Sequence, residues 1–193
     1  MTFIYLVSAG PVEEDITESV ETDLGRAFGF ATRRIDPLEE PAYAYDPRRR
    51  QYASSLILGR LMGMIPRDAI RLLALTEKDL FIPVLSFIFG QAQLQGQVAI
   101  VSLARLRQEF YGLAPVKSLL RARAGKEAIH EVGHTLGLVH CPDRTCAMSL
   151  STNIRQVDIK RMEFCSSCDI LVRESAKMIQ KKTAGSDCAE GKR

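Results

Sequence analysis

The chain has no tryptophan, three histidines and five cysteines, and aromatic residues make up 7% of its 193 positions. Long apolar runs are missing too. The most extended, Leu80 to Gly90, is broken by Pro83 and Ser86 and falls short of the roughly 20 apolar residues that cross a bilayer. Charge is nearly balanced: 26 Lys and Arg against 23 Asp and Glu leave a formal net charge of +3. That is too little for a surface devoted to nucleic acid. Internal repeats and low-complexity segments do not occur. Collagen, coiled coil, membrane span and intrinsic disorder are therefore excluded. The opening MTFIYLVSAG lacks a basic leader and is expected to be a first strand rather than an export signal. A reducing, cytoplasmic setting is the expectation, and there clustered cysteines bind metal more often than they form disulfides.

What remains is an ordinary globular composition, 46% apolar and 25% charged, in a length that suits one domain. Residues 2–8 read as a buried strand. Val12, Ile16, Val20, Leu24 and Phe28 recur every four residues and predict an amphipathic helix, with Glu13, Glu14 and Asp15 at its positive end. Residues 29–35 return as a strand, 36–46 as a loop, and Asp46-Pro47 should open a helix running to about Met62. Ala69 to Leu75 is a third strand. Val84–Phe89 and Val98–Leu103 are expected to pair antiparallel through a Gly- and Gln-rich connection at 90–96. A helix from near Pro115 to about Leu136 follows, and a later one should begin at Asn153 with Gln156 in capping-box position. The pattern predicts an α/β (α+β) fold with a mixed, mostly parallel sheet and one antiparallel strand. Residues 1–137 form the sheet-and-helix lobe, 138–182 a smaller helical C-terminal lobe, and 183–193 a flexible tail.

All three histidines fall within eleven residues, in the string His130-Glu131-Val132-Gly133-His134-Thr135-Leu136-Gly137-Leu138-Val139-His140. On a helix His130 and His134 point about 40° apart and lie one turn from each other, so two imidazoles can share one ion. Ile129, Val132 and Leu136 fall on the opposite side and can anchor the helix in the core. Gly137 supplies the turned backbone that ends it and lets His140 approach from another direction. Three neutral nitrogens leave one position open, as in a catalytic zinc site. Glu131 sits beside the histidines on the wheel, where it can act as general base on a water held at that position.

Four cysteines follow. Cys141, Cys146, Cys165 and Cys168 form a C-x4-C…C-x-x-C set, the soft ligand group of a closed tetrahedral zinc. Adjacent His140 and Cys141 cannot serve one ion comfortably, so two metals are expected. Arg144, Lys160 and Arg161 are candidates to offset the thiolate charge. Cys188, alone in a polar tail, reads as a free thiol.

The histidine string, with Met148 eight residues after His140, resembles the metzincin metalloproteases and their methionine turn. Together with the cysteines it resembles one metzincin family closely, the archaemetzincins. The shared motif covers residues 130–168, and Arg49-Arg50-Gln51-Tyr52 and Phe89-Gly90-Gln91-Ala92 are also similar. The resemblance implies a zincin-like fold with a mid-chain active-site helix. It implies a catalytic zinc on His130, His134 and His140, with Glu131 as general base, and a structural zinc on Cys141, Cys146, Cys165 and Cys168. Some metzincins carry a tyrosine after the methionine to stabilise the oxyanion, but the five tyrosines here stop at Tyr111.

The expectation is a zinc metallopeptidase of narrow specificity that acts on a peptide or protein substrate. Glycines and glutamines at 90–98 are the candidate edge for binding that substrate. The alternative is a weakly active or non-proteolytic zinc protein serving as a peptide-binding module. A zinc-ribbon nucleic-acid binder is disfavoured, because Phe164 is the sole aromatic between 141 and 168. No membrane association is implied, and no oligomeric state is specified.

Overall fold

Alternation within the strands divides the apolar residues between two faces of one sheet. In the computed structural model, which describes residues 2–186, this sheet is built from β1 (Phe3–Ser8), β2 (Thr32–Arg34), β5 (Ala69–Thr76), β8 (Gly90–Ala92) and β9 (Val98–Ser102) in the order β2-β1-β5-β9-β8. Three pairings are parallel, and β8 joins β9 antiparallel. Ile4, Leu6, Leu73, Leu75, Ala99 and Val101 face one way and belong to one buried cluster. Phe3, Tyr5, Val7, Leu72, Ala74, Val98 and Ile100 face the other way and belong to a second. Burial on both faces is the expected state of a mainly parallel sheet.

Helices cover both faces. α1 (Glu14–Phe28) and α3 (Lys117–Thr135) lie on the first face, α1 through Ile16, Val20, Leu24 and Phe28 as its four-residue spacing predicts. α2 (Ser54–Met62) lies on the second through Ile57, Leu58 and Leu61. Two further helices, α4 (Ile154–Ile159) and α5 (Ser166–Ser186), follow α3. Asn153 caps α4 by accepting from the Gln156 N–H, while Gln156 Oε1 accepts from Thr152 instead of from the cap's own N–H. Ala147, Met148, Val157, Cys168 and Val172 belong to the same buried cluster as α1 and α3, so the C-terminal segment shares its core with the sheet.

Several local expectations are corrected. The helix expected from Pro47 starts only at Ser54. Asp46 Oδ1 accepts from the N–H groups of Arg48 and Arg49, and Arg50 takes φ 56°, which closes a turn where a helix would need to continue. That turn joins β3 (Tyr45–Asp46) to β4 (Gln51–Ala53) in a second sheet of order β3-β4-β6-β7, with β6 (Leu80–Ile82) and β7 (Leu85–Ile88). The segment expected as one strand over 84–89 is thus β7, which pairs with β6 and not with β9. The antiparallel partner of β9 is β8, inside the stretch read as a connection. Helical backbone continues to Ser186 where a tail was expected from 183, and the rest of that tail, with Cys188, lies outside the described residues. No helix among the described residues is long and apolar enough to cross a membrane.

Candidate metal centres

α3 carries most of the first site. Leu120, Ala124, Ala128, Ile129 and Val132 bury one side of it against the sheet. On the other side Arg123, Glu127, His130, Glu131 and His134 succeed one another at helical spacing, and all but His134 are buried as well. The helix ends in a Schellman pattern. Gly137, at φ 95°, donates to the His134 carbonyl, and Leu138 N donates to the Gly133 carbonyl. Gln95 N also donates to the His134 carbonyl, so the β8–β9 loop braces the helix end. The turn brings His140 back beside the two helical histidines.

The imidazoles converge. His130 Nδ1 lies 2.9 Å from the Ala147 carbonyl and His134 Nδ1 lies 2.7 Å from the Leu138 carbonyl. A carbonyl only accepts, so each Nδ1 carries its proton and each Nε2 presents a lone pair. These two Nε2 atoms are 3.1 Å apart. Burial depresses the pKa of His130 well below the usual 6.5, with Lys160 and His134 adding to it. It lowers those of His134 and His140 in the same direction. Neutral rings whose lone pairs face each other repel unless a cation lies between them. A tetrahedral zinc with bonds of about 2.0–2.1 Å would need its nitrogens about 3.3–3.4 Å apart. One nitrogen from each of His130, His134 and His140 fits within 4.8 Å of the others. The donor set therefore suits zinc.

Glu131 stands beside this trio. Burial raises its carboxyl well above the usual carboxylate range, the charge of Glu127 raises it further, and Lys160 opposes both. Gly90 of β8 leaves just enough room for that carboxyl. Beneath the helix the sulfur of Met148 packs against Gly133, where a Cβ would meet it at 2.5 Å. The methionine is fully buried.

The cysteines form a second cluster. The Sγ atoms of Cys141, Cys146, Cys165 and Cys168 all lie within 4.8 Å of one another, with Cys141 and Cys165 at 3.7 Å. Bonds of about 2.3 Å to a tetrahedral zinc would give edges of about 3.8 Å. Backbone N–H groups already point at these sulfurs: that of Cys165 donates to Cys146 Sγ at 3.3 Å. A hydrogen bond from the backbone of Cys168 brings the Cys165 thiol down to about 7. Burial pushes Cys168 the other way, upward. Cys141 N donates to the Met148 carbonyl, tying this cluster to the methionine turn.

A cleft of about 410 Å³ opens along the histidines. Its walls include Leu85, Phe87, Phe89 and Leu150, and Gly90, Gln91 and Ala92 of β8 line it next to Glu131. Within the expected 90–98 edge only 90–92 lie along the cleft, and β7 supplies the neighbouring strip. Sequence reasoning missed Glu127, Ser151 and the role of Lys160. Lys160 was expected to offset the thiolates, but its ammonium lies 2.6 Å from Glu127 Oε1, with both side chains at most 3% exposed. Glu127 precedes Glu131 by one helical turn, which is the one signal that marks it. The 32 positions between Glu127 and Lys160 carry no local pattern that pairs them.

Comparison with known proteins gives concordant results. Residues 35–174 match the model of peptidase family M54. The chain is 42% identical over 165 residues to an archaemetzincin of Methanocaldococcus jannaschii, covering 86% of this chain and 89% of the relative. The crystal structure of an archaemetzincin from Methanopyrus kandleri superposes with a TM-score of 0.81 at 36% identity, covering 91% of this chain and 96% of that one. A zinc-dependent peptidase from Methanocorpusculum labreanum superposes with a TM-score of 0.80 at 33% identity, covering 88% and 99%.

Proposed function

The chain belongs to peptidase family M54, the archaemetzincins, and is a zinc metallopeptidase; on that premise we propose how its residues divide the work. His130, His134 and His140 hold a catalytic zinc, and Cys141, Cys146, Cys165 and Cys168 hold a structural one. The observation that carries this reading is the pair of unprotonated Nε2 atoms 3.1 Å apart beside the Glu131 carboxyl. Zinc, when bound, supplies Lewis acidity that polarises a peptide carbonyl and acidifies water.

Glu131 takes the proton of the attacking water and later passes it to the leaving amine. Its raised proton affinity suits a group that must hold a proton between two steps. Gly90 confines the carboxyl, and the carbonyls of Ala147 and Leu138 fix the ring orientations of His130 and His134. The substrate is a peptide or protein segment lying extended along β7 and β8, its side chains in the apolar walls of the cleft. Narrow specificity and a reducing, cytoplasmic setting complete the reading; four unpaired thiols suit such a compartment. A weakly active peptide-binding protein is the second reading, favoured by the lack of any tyrosine after Met148.

Metal analysis tests the assignment. The purified protein should carry two zinc ions, the His130→Ala/His134→Ala variant one, and Cys165→Ser the other one with a large loss of stability. A single zinc that survives the histidine changes contradicts the catalytic site.

A further inference from the structure

The last turn of a helix leaves carbonyls without partners inside the helix. At the end of α3, three separate elements take them. Gln95 N of the β8–β9 loop donates to the His134 carbonyl at 3.1 Å, and Ser175 Oγ of α5 donates to that of Leu136 at 3.3 Å. Between these two stands Arg71 of β5. Its Nη2 donates to the Thr135 carbonyl at 3.1 Å, its Nε to Thr135 Oγ1 at 2.8 Å and its Nη1 to the Ile70 carbonyl at 2.6 Å. All three guanidinium nitrogens are engaged, two of them on one residue, a fork that an ammonium cannot reproduce. Thr135 is fully buried, and its hydroxyl donates onward to the Val132 carbonyl at 2.6 Å. Burial, with no carboxylate beside it among the described residues, brings the pKa of Arg71 down to about 10. It is therefore still a cation at neutral pH, placed at the negative end of the helix dipole.

Thr135 stands at the root of the turn that builds the histidine site. It follows His134 directly and lies two residues before Gly137, where the chain reverses toward His140. The same turn carries Leu138, whose carbonyl meets His134 Nδ1 at 2.7 Å and orients that ring. His130 depends on a different support, the Ala147 carbonyl. Resting on the catalytic zinc reading, we propose that Arg71 is a positioning residue for the reaction: through Thr135 it fixes the turn at 136–138 and so holds His134 and His140 at the spacing that binds zinc. Neither Arg71 nor Thr135 lines the cleft, so neither meets the substrate. Without the fork the helix end loses a brace, His134 and His140 sample a wider range, and zinc binds more weakly. His130 and the cysteine cluster, supported elsewhere, keep their geometry.

Chelator competition on the zinc-loaded protein tests this. The histidine site is identified as the one lost in His130→Ala/His134→Ala. Thr135→Val keeps the shape of the side chain and removes the hydroxyl, and Arg71→Met keeps an apolar stem and removes the fork. Each should weaken the histidine site about tenfold, the lower end of the range for groups that support a ligand from outside. The cysteine site should be unchanged. Thr135→Ser, which keeps the hydroxyl, should hold zinc as the parent does. Arg71→Met/Thr135→Val should lose no more affinity than Arg71→Met alone, because both act along one path. In excess zinc, kcat for a cleaved peptide should fall while KM changes less than about twofold, since the groove is untouched. A lowered Tm with parental zinc affinity reveals a purely structural contact and overturns the proposal, as does equal weakening of both metal sites. Should Arg71→Met fail to fold, Thr135→Val against Thr135→Ser decides alone. Absence of any zinc at the histidines contradicts the catalytic site and the proposal with it, whereas zinc held there equally by every variant overturns the proposal alone.

Discussion

Gly90 and Glu131 are in such close contact that a Cβ on Gly90 would lie 2.6 Å from both Cγ and Oε1 of the glutamate. Nothing that close is tolerated, so any side chain at position 90 displaces the group assigned as general base. Gly90→Ala should lower peptide cleavage on the order of 100-fold, mostly through kcat, because small misplacements of a reacting group carry such penalties. Zinc content should be unchanged. Steady-state kinetics alongside metal analysis check this, and full activity in the alanine variant contradicts the close packing.

Gly133 makes the corresponding contact below the helix, against the Met148 sulfur. Alanine in place of a helical glycine ordinarily gains about 0.8–1 kcal/mol. Here overpacking of a buried sulfur should cost about 1–3 kcal/mol and decide the sign. Gly133→Ala should therefore lower Tm, and adding Met148→Val should restore most of the loss, a non-additivity expected of touching residues. Thermal unfolding of the two single variants and the double variant measures it.

The buried pair Glu127 and Lys160 makes a similar thermodynamic cycle. Lys160→Met alone strands a carboxylate and should cost about 3–5 kcal/mol, whereas Glu127→Leu/Lys160→Met should come close to the parent stability. Denaturant unfolding of both proteins provides the comparison. A double variant as unstable as the single one would show that the cost lies in packing and not in charge.

Burial holds the three histidines neutral at pH values where free imidazole protonates. Zinc competes with protons only for neutral rings, so a lowered pKa extends full affinity to lower pH. As the pH is lowered, the affinity of the histidine site should hold through the range in which free imidazole begins to protonate. It should fall only as the pH approaches the depressed values. Chelator competition at several pH values reports this. A decline that begins near 6.5 would mean that the rings are solvated.

How far the sequence carries depends on the range of each interaction. The histidine helix, its end at Gly137 and the four-residue stripe of α1 are local patterns, and each stands where its spacing places it. The strands of the second sheet are two to four residues long, too short for alternation to register. The false helix start at Pro47 followed a genuine capping signal, but Asp46 uses its oxygen to close a turn instead. Glu127 with Lys160, and Gly90 against Glu131, join segments distant in sequence, and only folding brings them together.

Kinetics of Glu131→Gln, measured beside its zinc content, test the central assignment most directly. The amide keeps the size of the side chain and removes its ability to take a proton. Zinc content should be unchanged and kcat should fall about 100- to 10,000-fold, the range typical of a lost general base. Cleavage at close to the parent rate with zinc retained would contradict it.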